Sequence, residues 1–365
     1  MAYLPGGGSG YGATVTDRSA FEDFGGWPGL LGLVSTGQDL TQPQAEAAMG
    51  QILSGEATSA QIAGLIVALR LKGETVEELT GLAKGMLAAA EPLRLPANAV
   101  DIVGTGGSAH RRQHALNVST MAAFVAASAG ATVCKHGNFK ASSTSGAFDF
   151  LETLGIQVHL SGPQLEACVA ETGIGFALAR DFHPSMRHAG PVRAELGIQT
   201  VFNILGPIAH PGQPKRQLVG TSDESMAGLM AEVFQAMGSE RAWVVTGAGG
   251  LDELSTTGPS VIFDVTPNNI ERLEIDLRFL GITPPESMDA LSGGDAAANV
   301  AIFNRILSGE ERGSRYDIVL LNAGATLVVG GLTDDLASGI RAAAEAIDEG
   351  RTRVLVDRAI SFTNA

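Results

Sequence analysis

The first feature of this chain that could do chemistry is a run of polar and glycine residues directly after an apolar stretch at 100–103. The glycines at 104, 106 and 107 lack the Cβ atoms that would keep a phosphate away from backbone N–H groups. Ser119 or Thr120 can cap the Ala-rich helix that follows, and a helix N-terminus favours an anion. The segment predicts a phosphate site, although many glycine-rich turns only reverse the chain.

A second apolar run, at 131–134, ends in Lys135, His136, Gly137 and Asn138. The Lys135 ammonium can serve as a point charge for phosphate. Because ligands of parallel sheets bind at the carboxyl ends of the strands, we expect these two turns to lie on one rim. The two strand ends therefore converge on something polyanionic.

Two adjacent carboxylates, Asp252 and Glu253, follow a third glycine-rich turn at 247–250. Carboxylate oxygens can surround a hard cation such as Mg²⁺, which prefers a few carboxylates plus phosphate oxygens. Taken alone, a pair of this kind is more often surface charge.

The charge of the whole chain limits its partners. The 365 residues carry a formal net charge of -15, which opposes nucleic acid and anionic membranes, and also an anionic substrate at long range. A phosphate site must therefore be locally basic, and one cluster of the sequence meets this condition. The alternative interpretation of this cluster is that its charges are solvated in a loop. The cluster comprises His110, Arg111, Arg112, His114, Lys135, His136 and Lys140.

The cysteine content and the chain start indicate a cytoplasmic protein. Cys134 and Cys168 are the only cysteines, they form no metal-binding spacing, and two buried thiols suit a reducing compartment. Residues 1–20 lack a basic start followed by an apolar region. The apolar run 121–133 is too short to span a bilayer, so we expect no membrane partner.

The hydrophobic pattern predicts an α/β protein with a small N-terminal helical domain and a larger α/β domain, whose mostly parallel central sheet is covered by helices. Helical spacing runs from 42 to 90, with a cap at Thr58 and a capping box of Thr75 and Glu78. The expected units are a flexible arm at 1–25, a helical domain at 26–95 with a contribution from about 183–205, and an α/β domain at 96–365. Strands are predicted at 100–103, 132–134, 157–159, 175–177, 217–220, 242–245, 260–264 and 318–322.

Taken in order and at these separations, several segments resemble the anthranilate phosphoribosyltransferase family. They are the turns at 104–107 and 135–138, the helix start at 117–120, and the segments 181–207 and 244–255. Residues 55–86 resemble that family's helical domain, and residues 321–332 resemble its last strand and loop. The resemblance covers roughly residues 40 to 360.

The resemblance implies transfer of 5-phosphoribosyl from its 1-diphosphate to the amine of anthranilate, in tryptophan biosynthesis, by a homodimer that pairs through the helical domain. It places Mg²⁺ at Ser119, Asp252 and Glu253. It implies an acceptor site of Gly104, Asn138, His183 and Arg193. It assigns the phosphoribosyl diphosphate to Gly104, Thr105, Gly106, Gly107, Ser108, Asn117, Val118, Ser119, Thr120, Lys135, His136, Gly137, Asn138, Ser142 and Ser143.

Two acceptor-side residues also have other readings. Arg193 suits the carboxylate of an aromatic acceptor, since guanidinium grips carboxylate in a planar fork, but it could be a surface ion-pair partner. His183 could equally be a structural residue bonded to backbone. No residue is assigned as an acid or base, because a neutral aniline nitrogen needs positioning more than it needs a strong base.

The chain departs from the family pattern at three positions. Ser108 stands where the family usually has Asp, Ala115 where it has Thr, and Phe139 where it has Arg. Arg111, Arg112 or Lys140 could replace the lost contacts, or the donor or acceptor has changed. The alternatives are a same-fold transferase with another aromatic acceptor, a non-catalytic nucleic-acid-binding relative, and a nucleoside phosphorylase.

Overall fold

The computed structural model of this protein describes residues 18–106, 116–139 and 144–365, with the backbone alone for 18–20. The chain begins with helices, continues through an alternating α/β region, and ends in four further helices. We number the helices and strands in chain order.

Five helices form the N-terminal part, and the predicted caps start two of them. Thr58 and Thr75 each accept a hydrogen bond from the backbone N–H three residues on, at 3.3 Å. Gln61 and Glu78 bond back to the N–H groups of these threonines. Each such cap stabilises its helix by about 1 kcal/mol. The helices are α1 Arg18–Asp23, α2 Gly26–Ser35, α3 Gln42–Ser54, α4 Ser59–Lys72 and α5 Val76–Ala88.

Part of the expected N-terminal arm is folded. Phe21 is buried and its ring lies edge-on to Trp27, with 5.6 Å between the ring centroids. Residues 1–17 lie outside the described residues. From Arg18 onward, the chain therefore belongs to the helical part rather than to an arm.

Seven strands form one sheet in the order β3-β2-β1-β4-β5-β6-β7. Neighbours from β3 to β5 pair in parallel, and β6 and β7 form an antiparallel extension. The strands are β1 Ala99–Gly104, β2 Thr132–Gly137, β3 Ile174–Leu178, β4 Arg216–Gly220, β5 Arg241–Thr246, β6 Ser260–Thr266 and β7 Asn269–Ile275.

The order of the strands reverses between β1 and β4. From β1 the chain adds strands outward on one side, and from β4 it adds them on the other. Gly104 and Gly220, the last residues of these two strands, are register partners. A crevice opens where the strand order of a parallel sheet reverses, at the carboxyl ends of the strands. The fold therefore places the first glycine-rich turn at the position where such sheets bind ligands.

Helices cover both faces of the sheet, as predicted. The remaining helices are α6 Val118–Ser128, α7 Ala147–Leu154, α8 Gly162–Thr172, α9 Ala179–Phe182, α10 Gly190–Leu196, α11 Val201–Ile208, α12 Glu224–Ala236, α13 Ala296–Ser308, α14 Ser314–Val329, α15 Leu336–Asp348 and α16 Arg351–Thr363. One hydrophobic core packs the N-terminal helices with α11 and α12 against one face of the sheet, and a second core packs α6, α7 and α13–α16 against the other face. Short 3-10 helices lie at Pro184–His188, Ala248–Gly250, Leu277–Leu280 and Met288–Leu291.

Two predicted strands are wrong. Residues 157–159 alternate exposed and buried side chains but lie in an irregular segment. Residues 318–322 lie inside α14, a helix buried on nearly all sides, so the expected last strand at 321–332 is wrong too. A short apolar run does not distinguish a buried strand from a buried helix by its periodicity. The edge strand β7, rich in charged residues, was missed.

Among the described residues, no helix combines the length and the apolar character that crossing a bilayer requires.

Candidate active site

The third glycine-rich turn folds back onto the first. The backbone N–H of Gly106 donates to Asp252 Oδ2 at 2.8 Å. A Cβ on Gly104 would collide with the Asp252 carboxylate, and one on Gly220 would collide with the Asp252 carbonyl. The ends of β1 and β4 therefore need glycine for a steric reason, which is the close approach of the Asp252 backbone and side chain.

The two predicted carboxylates are buried at this junction. Asp252 is 2% exposed and Glu253 is 7% exposed, so neither is the surface charge that such a pair usually represents. Two adjacent carboxylates at a ligand crevice supply the hard oxygen donors that make this junction a candidate cation site.

The oxygen donors at this junction suit Mg²⁺. Within the described part of the chain, no three His, Cys, Asp or Glu side chains cluster into a cage made by protein alone. Mg²⁺ seldom uses such a cage, since it is held by one or two carboxylates together with phosphate oxygens and water. Asp252 and Glu253 supply the carboxylates, and the turn bonded to Asp252 is the one suited to phosphate.

A side-chain network fixes the start of α6. Asn117 Oδ1 accepts from Ser145 Oγ at 2.9 Å and from Asn299 Nδ2 at 2.7 Å. The expectation that Ser119 or Thr120 caps this helix is wrong, because Asn117 occupies the cap position and both residues lie in the first turn. The Asn117 side chain makes no capping bond, since it is engaged with Ser145 and Asn299.

Lys135 lies deeper than the sequence suggested. Its side chain is 2% exposed, and Nζ donates to the carbonyl of Ile102 in β1 at 2.6 Å. Ile102 lies two residues before the first glycine-rich turn. The ammonium is therefore placed between β1 and β2, and its contact with a phosphate stays a prediction.

Three histidines form a buried cluster on the opposite face of β2. The His136 ring lies 5.5 Å from that of His183 and 5.3 Å from that of His210, between centroids. Each donates to a backbone carbonyl: His136 Nδ1 to Gly206 at 3.1 Å, and the Nε2 atoms of His183 and His210 to Ala209 and Cys134, both at 2.9 Å.

Burial keeps these imidazoles neutral. Desolvation lowers the pKa of His183 to about 4 and that of His136 well below its ordinary value. His210 Nδ1 accepts from the Gly212 N–H at 3.0 Å, which requires the neutral ring, and burial also lowers its pKa. The backbone-bonding alternative for His183 therefore matches the geometry found.

Arg193 lies in α10 with its guanidinium stacked over the Phe202 ring, 5.1 Å from the centroid. Burial lowers its pKa from the ordinary range. Among the described residues, no carboxylate lies within ion-pair distance of it. The surface ion-pair alternative therefore does not hold there, and a desolvated cation without an anion suits an anionic ligand.

Part of the expected site lies outside the described residues. This part comprises Gly107, Ser108, Arg111, Arg112, Lys140, Ser142 and Ser143, together with His110, His114 and Ala115 of the basic and departing positions.

Comparison with known proteins identifies both parts of the fold. Residues 29–90 match the helical bundle domain of a glycosyl transferase family, and residues 96–353 match its a/b domain. The anthranilate phosphoribosyltransferase of Roseiflexus castenholzii is 44% identical over 90% of this chain and 96% of its own. That of Nocardioides sp. is 47% identical over 92% of this chain and 98% of its own.

The chain belongs to the anthranilate phosphoribosyltransferase family.

Solved structures of family members share the fold. The anthranilate phosphoribosyltransferase of Thermus thermophilus superposes with a TM-score of 0.86 at 37% identity, covering 92% of this chain and 99% of its own. The Saccharomyces cerevisiae family member, in complex with PRPP and Mg, superposes with a TM-score of 0.84 at 25% identity. The match covers 96% of this chain and 99% of the yeast chain.

The structure adds residues to this family site that the sequence reasoning missed. Asn299 and Ser145 hold Asn117, and Asn322 holds the backbone just after Glu253 through both atoms of its amide. The available signal was a polar residue inside an apolar helical run, since a buried amide has hydrogen-bond partners. Asn322 interrupts such a run at 318–329.

Proposed function

We propose that this enzyme transfers the 5-phosphoribosyl group of phosphoribosyl diphosphate to the amine of anthranilate and releases diphosphate, a step of tryptophan biosynthesis. The observation that carries the proposal is the junction of the Gly104–Gly106 turn with Asp252. It places buried carboxylates against a phosphate-type turn at the crevice of the sheet.

On the donor side, the turn after β1 and the first turn of α6 face the polyanionic donor. The proposed donor residues in the described part of the chain are Gly104, Thr105, Gly106, Asn117, Val118, Ser119, Thr120, Lys135, His136, Gly137 and Asn138. Thr105 N donates to the Gly220 carbonyl at 2.8 Å, which fixes the turn against β4. The N-terminus of α6 adds the partial positive charge of a helix start.

Asp252, Glu253 and the Ser119 hydroxyl are the proposed Mg²⁺ ligands. All three are hard oxygen donors, and the metal's remaining positions suit diphosphate oxygens. Bound Mg²⁺ neutralises the charge that develops on the departing diphosphate.

On the acceptor side, the Arg193 guanidinium receives the carboxylate of the aromatic acceptor. Its stacking on Phe202 and its desolvation strengthen a charge-assisted pair with that carboxylate. Gly104 and Asn138 at the ends of β1 and β2, with His183, complete the proposed acceptor site. The His183 ring holds the Ala209 backbone, so its part is to shape the acceptor side.

The reaction breaks the C1–O bond of the donor and forms a C1–N bond. As diphosphate leaves, C1 gains oxocarbenium character, and the partial positive charge at the N-terminus of α6 stabilises the departing charge. The neutral amine then attacks C1, and its proton passes to an oxygen of the released diphosphate or to water. The protein's contribution is to hold the two substrates in line, which can account for much of a bimolecular barrier.

The remaining expectations stay predictions. They are a homodimer formed through the helical domain, a cytoplasmic location, and the absence of nucleic-acid and membrane partners.

A purified sample with phosphoribosyl diphosphate and Mg²⁺ tests the function. We expect anthranilate fluorescence to fall with time, and diphosphate to appear in equal amount. Because Phe139 departs from the family pattern, a second candidate function is transfer to another aromatic carboxylate. Substituted anthranilates and other aminobenzoates in the same assay separate the two, and failure with every acceptor contradicts both.

A further inference from the structure

The residue after the Lys-His-Gly-Asn turn is the one described departure from the family pattern, and the structure shows what surrounds it. Phe139 packs against the buried Phe148, with 5.9 Å between the ring centroids. The guanidinium of Arg180 lies over the Phe139 ring, 5.5 Å from its centroid. Arg180, which follows the neighbouring strand β3, thus places a cation beside the position where the family has an arginine.

The sheet register explains why these two residues meet. His136 pairs with Ala177 and Gly137 with Leu178 in the parallel ladder of β2 and β3. Continuing the same register beyond the strand ends sets Phe139 beside Arg180. Asn138 turns its Oδ1 back onto the Phe139 N–H at 2.9 Å, which fixes the ring relative to the proposed acceptor residue Asn138.

Arg180 is available for a ligand. Its side chain is exposed, and among the described residues no carboxylate lies within ion-pair distance of it. The adjacent Asp181 is bonded instead to His159 Nδ1 at 2.8 Å. Stacking on an aromatic ring restricts a guanidinium that would otherwise move freely, and within the described part of the chain the Arg180 N–H groups make no hydrogen bond.

Position favours the acceptor over the donor as its ligand. Arg180 follows β3, whereas the glycine turn bonded to Asp252 follows β1, two strands away in the sheet order. At the usual spacing between strands, that is roughly 10 Å. Arg180 also precedes the acceptor-side His183 by three residues, in the same connection.

We propose that Arg180, held on Phe139, attracts the carboxylate of the aromatic acceptor at the mouth of the site before that carboxylate reaches Arg193. This rests on the proposed function. The net charge of -15 repels an anionic acceptor at long range, and one exposed cation at the mouth offsets that repulsion locally. The contact is electrostatic, so it acts on acceptor capture rather than on the chemical step.

Steady-state kinetics of Arg180→Ala test the proposal. We expect KM for anthranilate to rise about two- to fivefold, the size of one exposed charge contact, with kcat and KM for phosphoribosyl diphosphate unchanged. High salt should shrink the difference from wild type, since the contact is screened. Arg180→Glu should raise KM for anthranilate further, and Phe139→Leu should reproduce part of the rise because it removes the ring.

Arg187→Ala is the matched control, since Arg187 is also exposed in the same connection but bonds the carbonyl of Pro184. An unchanged KM for anthranilate in Arg180→Ala overturns the proposal, and a rise confined to phosphoribosyl diphosphate assigns the cation to the donor instead. Calorimetric titration of wild type and Arg180→Ala with anthranilate alone keeps the test independent of turnover. If wild type binds anthranilate without reacting, the proposed function fails while this comparison still decides the role of Arg180.

Discussion

The Asn322 side chain brackets the backbone of Leu254: its Oδ1 accepts from the Leu254 N–H at 3.1 Å and its Nδ2 donates to the Leu254 carbonyl at 2.9 Å. The side-chain amide thus pairs with both backbone groups of Leu254, as a neighbouring β-strand would. Leu254 directly follows Asp252 and Glu253. A residue buried in α14 thereby positions the two carboxylates without touching a substrate.

Asn322→Ala should weaken both stability and metal use. It leaves the Leu254 N–H and carbonyl unpaired in a buried position, which costs about 1–3 kcal/mol for each group. We expect a lower thermal midpoint and a higher Mg²⁺ concentration for half-maximal activity. Asn304→Ala, which removes an amide bonded to Arg353 elsewhere in the helical layer, is the control. A stability loss with an unchanged Mg²⁺ requirement would make Asn322 merely structural.

Replacing Asp252 by Asn together with Glu253 by Gln should abolish turnover without unfolding the chain. The change removes two metal ligands but no core volume, and a metal contributes several kcal/mol to a transition state, so the loss should exceed about a hundredfold. Circular dichroism checks the fold. Asp348 and Glu349, an exposed pair of the same types, provide the matched double variant, which should be fully active. Activity within a few-fold of wild type at saturating Mg²⁺ would remove the metal assignment.

Arg193→Ala should weaken acceptor use much more than donor binding. A hydrogen bond to a charged group contributes about 1.5–3 kcal/mol, so the loss in acceptor affinity should be at least about tenfold. The acceptor affinity of Arg193→Lys should fall between those of wild type and Arg193→Ala, since lysine keeps the charge but loses the planar fork. Calorimetry with each substrate separates the effects, and equal weakening of donor and acceptor would mean that Arg193 supports the fold alone.

Acid should destabilise the protein through its buried imidazoles. Burial lowers the pKa of His183 from 6.5 to about 4, so between these values the unfolded chain binds a proton that the folded chain does not. The stability present above about pH 6.5 is therefore lost as the pH falls towards 4, by about 3 kcal/mol for this group. Thermal unfolding between pH 7 and 4 measures it.

His183→Gln should flatten part of this acid dependence, since the amide can donate to Ala209 without titrating. His136 and His210 leave a residual dependence of the same sign, because burial lowers their pKa values too. An unaltered profile in His183→Gln would contradict the linkage.

The sequence predicted the parts of the site that depend on the order of strand and turn. The turns after β1, β2 and β5 were placed correctly on one rim, because glycines and polar residues interrupt apolar runs there. Side-chain direction was not predictable in the same way. The contact of the Lys135 amine with the Ile102 carbonyl depends on how β1 and β2 pair, and the expected contact of Lys135 with a phosphate stays a prediction.

Contacts between distant parts of the chain set the remaining features. The capping position of α6 depends on Asn299, which lies 182 residues beyond Asn117. The local sequence at 318–322 predicts a strand, although residues 314–329 form a helix. A helix that is buried on all sides has no polar face, so its sequence lacks the helical hydrophobic period.

The bond from His183 to the Ala209 carbonyl closes the intervening chain into a loop, with Arg193 inside it. The His136 imidazole, on the proposed donor side, bonds the Gly206 carbonyl inside this loop. The two halves of the site thus share a support, and substitutions in one half should couple to those in the other rather than add. A lineage with this architecture therefore cannot exchange its acceptor without changing how the phosphoribosyl donor is held.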